Sequence, residues 1–529
     1  MLIKKLKDFY NNYVFAVAAI FATSFYLIFY LCNYMNYRNE WWRTGTVPIR
    51  QAAFYCCILA LFRIIFSKKN IEMKLLYVYA LWIVASRIAL NDLIFLQVHE
   101  GNWMSVSSCW GIILCVFFGS GIYINDKVKN IFIKCIVTFL VVMLGIWALI
   151  ALTTALVGQP LLETDNIYIE TENSVPPLVF ISFFGLHRNV SATFFTCAMG
   201  LALYQAFASK KDVWKVMALV FVPLSYVAVE LQHSRSNYLT FSIVIALIAM
   251  IVIREKITDK SKIKQALICT LATLVCIVGI YASFSVTNKG IVQLSHVVHN
   301  VSKKIYKTSN NSSSKKRHIV KKRSLKYVYK YKSNLRGKVK IRREDIEDVE
   351  QSEEITVKEI SDKRSTIKDS FTLTGRSAIW KATIDVLKEN PKILIFGQPE
   401  LKIMDKVNEK LPNPMSHTHN FLLQQLVFLG LPGLLIIVAF LFSLCRKIVL
   451  CFLFKERQKA KALNVLSALL LGLIVYGIFE PIFHQRIPFT STLFFLMAGL
   501  FIAKYNKLKS DIVNKQYQSE SYKDCDLED

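Results

Sequence analysis

Residues 417–445 read HTHNFLLQQLVFLGLPGLLIIVAFLFSLC. Four polar residues, His417-Thr418-His419-Asn420, stand directly before an apolar run, and the pattern predicts a helix over 418–445. A hydrocarbon core about 30 Å thick is crossed by roughly 20 apolar residues in helical form. This run is long enough, and it meets no charge before Arg446. Composition selects a membrane over a buried core. The 529 residues are 54% hydrophobic with a mean hydropathy of +0.38, too apolar for a soluble chain of this length.

Further runs of the same kind lie on both sides of it. The expected spans are 11–32, 47–66, 73–95, 104–124, 131–157, 188–208, 213–231, 237–253, 264–286, 418–445, 461–480 and 484–504. The fold class is therefore an all-α polytopic membrane protein with about twelve transmembrane helices. The first run is too long for a signal peptide, and no small-residue cleavage site follows it, so it reads as an anchor.

Lys and Arg in short loops set orientation. Lys4-Lys5-Lys7, Lys68-Lys69, Lys127 with Lys129, Lys210-Lys211, Arg254 to Lys264 and Arg446 to Lys461 fall on alternate sides. That side is the cytoplasm, and it holds both termini. The division that follows is a membrane core at 1–286, a large extracytoplasmic loop at 287–417, three more spans in 418–505 and a cytoplasmic tail at 506–529. The outer loop has two textures. Lys303 to Arg343 holds seventeen Lys and Arg and no acid, and acids dominate from Glu344 to Asp362. Such a stretch buries too little to offset chain entropy, so 303–362 reads as low complexity. Order is expected from 371 to 417, where Trp380, Ile384 and Leu387 recur at helical spacing and Asn390-Pro391 ends the helix.

A formal charge of +28 would suggest nucleic acid in a soluble protein. Here much of it sits in loops beside anionic head groups, so membrane lipid is the expected neighbour and nucleic acid is not. The twelve cysteines lie almost entirely in apolar runs, none in the outer loop, and no C-x-x-C pair occurs. Neither zinc nor a disulfide framework is indicated. No phosphate-binding G-x-x-x-x-G-K-[ST] loop and no H-E-x-x-H occurs, so neither ATP nor metal chemistry is expected and no cofactor is called for.

Five polar motifs fall on the outer side. They are Gly185-Leu186-His187-Arg188-Asn189, His233-Ser234-Arg235-Ser236-Asn237, Gly375-Arg376-Ser377-Ala378-Ile379-Trp380, His417-Thr418-His419-Asn420, and Glu480-Pro481 with His484 and Arg486. Arg and His at membrane boundaries are costly without a task. Arginine forks onto phosphate and keeps its proton, so Arg376, Arg235 and Arg188 are candidates to hold a diphosphate. Histidine accepts a proton near pH 7, so His419 and His417 are candidate general bases, and Glu480 could orient a histidine or bind an arginine. Each has a plainer alternative. Arg188 and Arg235 could reach lipid head groups, the histidines could cap a helix, and Glu480 could form an interfacial ion pair.

Ser234-Arg235-Ser236, Gly375-Arg376 with Trp380, and His417-Thr418-His419-Asn420 followed by Leu423 and Leu429-Gly430-Leu431-Pro432-Gly433 resemble the O-antigen ligase and Wzy-type polysaccharide polymerase superfamily of bacterial membrane glycosyltransferases. The family-like region is about 225–445. The resemblance implies a metal-independent inverting enzyme at the outer face of the plasma membrane. It would move a glycan from undecaprenyl diphosphate to a glycan, lipid or protein acceptor. In it, Arg235 and Arg376 would hold the diphosphate and His419 would assist the acceptor hydroxyl. The competing class is a transporter or lipid-linked oligosaccharide flippase, for which Arg63 and Arg87 inside spans are the main sign.

Overall fold

The computed structural model describes residues 2, 71–89, 126–157, 167–170, 178–181, 188–232, 234–257, 261–309, 374–411, 415, 417–453, 457–480 and 488–525. The expected spans 11–32, 47–66 and 104–124 lie outside these residues, as does the charged stretch from 310 to 373.

The elements are α1 (Ile71–Ala89), α2 (Asp126–Val157), β1 (Ile167–Glu170), β2 (Leu178–Ile181), α3 (Arg188–Ala208), α4 (Asp212–Leu231), α5 (Arg235–Lys256) and α6 (Lys262–Ser309). After the charged block come α7 (Thr374–Glu389), α8 (Ile393–Phe396), α9 (Glu400–Asn408), α10 (Phe421–Leu453), α11 (Arg457–Phe479) and α12 (Pro488–Cys525). Among the described residues, seven helices are long and apolar enough to cross a membrane: α2, α3, α4, α5, α6, α10 and α11. Of these α3 is 83% buried and α6 only 11%, so α3 lies at the centre of the bundle and α6 on its lipid-facing rim.

Four expectations need correction. The all-α reading missed an antiparallel hairpin, in which Ile167 pairs with Ile181 and Glu170 with Leu178. Its Ile, Tyr, Val and Phe residues suit a pleated surface. The span expected at 264–286 belongs to a helix that continues to Ser309, because no proline interrupts the stretch where hydropathy falls. On α7 the buried residues are Ile379, Ala382, Thr383, Val386 and Leu387, whereas Ile384 is 44% exposed. The buried face is thus rotated from the one expected. The helix expected from 418 starts at Phe421 and is broken at Gly430, which adopts φ 68° and ψ −174°.

That break follows from Leu431-Pro432. Proline has no N–H to return to the carbonyl four residues earlier, which is Phe428. The carbonyls freed there find partners elsewhere. Gln398 N–H donates to Val427 O at 2.8 Å, Arg87 Nη2 donates to Phe428 O, and Trp82 Nε1 donates to Leu429 O at 2.7 Å. Within a bilayer each such group left unpaired would cost several kcal/mol. Gly397 faces the break with φ 73°, and a Cβ there would stand 2.0 Å from Phe428 O. A Cβ on Gly430 would stand 2.4 Å from Ile395 O. Two glycines therefore let the outer segment interlock with α10.

The bundle has two distinct ends. At one, Lys461 pairs with Glu255 at 2.7 Å, Lys447 with Glu72 at 2.9 Å, and Arg254 donates to Phe452 O. At the other, the N-termini of α3, α5 and α10 meet the C-terminus of α11.

Candidate active site

Glu480 follows the last residue of α11 and is 2% exposed. A buried carboxylate must be paired or lose its charge. Four side chains from three other segments approach it. Oε1 accepts from Asn189 Nδ2 at 2.7 Å and from Arg376 Nη2 at 2.9 Å. Oε2 lies 3.1 Å from His419 Nδ1 and 3.5 Å from His417 Nε2. The two imidazoles lie with ring centroids 4.0 Å apart.

Local sequence explains each placement. Arg376 is in the first turn of α7, and Trp380 one turn later donates to Thr418 O at 2.9 Å, which ties α7 to the histidine turn. Asn420 caps α10, its Oδ1 accepting from Leu423 N–H at 3.0 Å. Thr418 is fully buried, and its N–H and Oγ1 both bond Gln424 Oε1, at 2.9 and 2.8 Å. His419 between them adopts φ 52°, a left-handed conformation rare outside glycine. Such a conformation persists only where the surroundings impose it, as the flanking Thr418 and Asn420 bonds do here.

Behind Glu480 lies a second set of bonds. Asn189 O accepts from Asn237 Nδ2 at 2.8 Å and from the Tyr476 hydroxyl at 3.3 Å. Thr193 Oγ1 donates to Asn237 Oδ1 at 3.0 Å, and Asn237 Nδ2 also reaches Ser234 Oγ at 2.8 Å. Asn189 and Asn237 close two of the five outer motifs, yet only the arginines beside them stood out in sequence. The signal that could have found them is an amide buried at the start of an apolar helix, which must have a partner.

Electrostatics follow from burial and pairing. Burial opposes charge on Glu480, but the hydrogen bonds to His417 and His419 outweigh it and hold the carboxyl well below its usual range. His417 is pushed down chiefly by burial, against the pull of Glu480 and with the help of the positive charges of His419 and Arg376. It is the neutral imidazole at neutral pH.

Of the six residues expected at a site, Arg376, His417, His419 and Glu480 come together. Arg235 opens α5 two residues before Asn237, at the same end of the bundle, with its side chain exposed. Its charge acts on Tyr281 of α6. Arg188 opens α3 directly before Asn189.

His417, His419 and Glu480 could also offer one ligand atom each to a metal ion, these atoms lying within 4.8 Å of one another. Arg376, however, sets a permanent positive charge 2.9 Å from the same carboxylate. That charge favours an anion over a cation at this place. No phosphate-cradling glycine loop or other cofactor framework adjoins it in the sequence.

A segment from within α4 to the first half of α10 resembles a known family. Residues 218–438 match a family model described as O-antigen ligase. The match runs from Ala218 within α4 through α5, α6 and the outer segment to Val438 in α10, less than half of the chain. Arg235, Arg376, His417 and His419 fall within it, whereas Arg188, Asn189 and Glu480 fall outside. No curated protein matches the chain.

Proposed function

We propose that the chain is a metal-independent inverting glycosyltransferase. It moves a glycan from undecaprenyl diphosphate to an acceptor hydroxyl at the outer face of the plasma membrane. The observation that carries this reading is the convergence of Arg376, His417, His419 and Asn189 on the buried Glu480.

The chemistry follows from those contacts. With His419 Nδ1 donating to Glu480, the neutral ring keeps its lone pair on Nε2. Nε2 takes the proton of the acceptor hydroxyl as its oxygen attacks the anomeric carbon. The bond from that carbon to the diphosphate breaks, and the lipid diphosphate leaves with the electron pair. Glu480 stabilises the imidazolium, as the buried carboxylate of a catalytic triad does. Arg376 spends an N–H on Glu480 and has others of its five for the diphosphate. Arg235 and Arg188, at the ends of adjoining helices, supply further positive charge for the donor.

About twelve spans, cytoplasmic termini and a plasma-membrane location complete the reading. The transporter alternative loses one of its two signs, because Arg87 donates to the broken helix at Phe428. Arg63 lies outside the described residues.

The test is purified protein in vesicles with an undecaprenyl-diphosphate-linked repeat unit. Longer lipid-linked chains identify a polymerase, and transfer only on adding a separate acceptor identifies a ligase. Arg376→Ala should lose activity by about 2–5 kcal/mol of transition-state stabilisation, the cost of removing one partner of a buried charged pair. Full activity in both Arg376→Ala and His419→Ala ends the assignment.

A further inference from the structure

Between α7 and α9, residues 391–397 present three large apolar side chains outward. Leu394 is 38% exposed, Ile395 53% and Phe396 38%. In a water-exposed loop that patch would be a liability. Its height along the bundle says otherwise. The Lys447–Glu72 pair marks the inner end, beside the basic stretch Arg446 to Lys461. At about 1.5 Å per residue along α10, Gly430 stands roughly 26 Å above Lys447, still within a hydrocarbon layer about 30 Å thick. The carbonyls of Leu394 and Ile395 press on Gly430. A second helix gives a lower height, about 15 Å at the same rise per residue, also inside the hydrocarbon layer. Phe396 stacks on Trp82 with ring centroids 6.1 Å apart, and Trp82 lies only ten residues beyond Glu72 on α1.

Two further observations agree. Just past the break, α10 exposes Leu431 (48%), Leu435 (57%) and Phe442 (74%), so the patch continues the lipid-facing surface of a span. The turn also satisfies its own backbone, which lipid demands. Ile393 N–H bonds Asn390 O, Leu394 N–H bonds Pro391 O, Ile395 N–H bonds Lys392 O, and Gly397 N–H bonds Ile393 O, all at 2.8–3.1 Å.

We propose that residues 391–397 are a bilayer-immersed anchor of the outer segment, in which Leu394, Ile395 and Phe396 contact acyl chains of outer-leaflet phospholipid. Exposed Lys392 reaches the phosphate layer on its flexible stem. The anchor fixes α7, and with it Arg376, at a set height over the membrane. The proposal rests on the membrane reading and not on the transferase chemistry, and its test reads position rather than activity.

The full chain is placed in vesicles of phosphatidylethanolamine and phosphatidylglycerol, with the photoreactive p-benzoylphenylalanine replacing Ile395 or, as the water-facing control, Ser377. Irradiation should attach phospholipid at 395 and not at 377, as read by mass spectrometry of the digested protein. In parallel, Ile395→Cys should escape a membrane-impermeant maleimide that labels Ser377→Cys, with the native chain as background. An adduct from 395 to another protein segment, no lipid adduct, or equal labelling of the two cysteines overturns the proposal. Should the substitutions at 395 prevent insertion, Leu394 and Phe396 carry the same probes.

Discussion

The Asn189 amide donates to the Glu480 carboxylate across 2.7 Å, although 291 residues separate them in sequence. That bond joins the start of α3 to the end of α11. Neither residue lies within residues 218–438, the segment similar to O-antigen ligases. The site is therefore assembled partly by helices outside that segment. Asn189→Ala should cost about 1.5–3 kcal/mol, the usual value of a hydrogen bond to a charged group. Asn189→Asp, which sets one carboxylate against another, should cost more. Melting temperatures of the two variants in detergent check the order, and a milder effect for the aspartate contradicts it.

Glu480→Gln keeps the shape of the side chain and removes its charge. His419 then loses the partner that selects its tautomer and stabilises its protonated form. Turnover should fall by about 10²–10⁴-fold, the usual worth of general base catalysis. The effect should appear in kcat more than in KM, since Glu480 acts through the histidine. A variant with native kcat removes Glu480 from this role.

Stability should fall as the solution becomes acid. His417 has a folded pKa below its ordinary 6.5, so its contribution is complete above that pH and is lost as pH falls toward the folded value. Glu480 is likewise depressed, so its contribution is present above 4.5 and is lost at still lower pH. Melting temperature should therefore drop in two stages below pH 6.5. His417→Asn, which cannot titrate, should flatten the first stage and, by removing one hydrogen bond that holds Glu480 low, move the second to higher pH. An unchanged acid profile in that variant assigns the loss to another group.

Gly397→Ala and Gly430→Ala each place a Cβ against a backbone carbonyl, at 2.0 and 2.4 Å, from a left-handed conformation. Each should destabilise by about 1–3 kcal/mol, and more where the backbone must move. The glycines meet at one contact, so the double variant should fall short of the sum. Chemical denaturation in detergent measures this, and strict additivity speaks against the interlock.

Removing Arg87 should uncover the Phe428 carbonyl inside the bundle. Arg87→Met should cost about 1–3 kcal/mol for the unsatisfied acceptor. Arg87→Lys should recover part of the loss, because an ammonium can still donate there. The check is thermal stability with and without the lysine rescue, and equal stability of all three proteins denies the capping role.

Much of this protein is legible in its residues alone. Long apolar runs separated by basic loops specify membrane helices, because a bilayer demands length, apolarity and internal hydrogen bonding along each segment. The break at Gly430 is different: the run 418–445 reads as one span, although Pro432 lacks the N–H that would continue it. Arg376, His417, His419 and Glu480 were recognisable as costly groups at a boundary. What the chain does not reveal is which of them meet. Arg235 looked equal to Arg376, yet it is Arg376 that donates to Glu480, and Asn189 does so as well. Helical periodicity also misjudged the buried face of α7, since Trp380 turns toward Thr418 and leaves Ile384 exposed. These outcomes depend on the rotation and approach of helices distant in sequence. Local pattern constrains each helix by itself, whereas a shared carboxylate is satisfied only once the packed bundle has brought its partners within hydrogen-bonding distance.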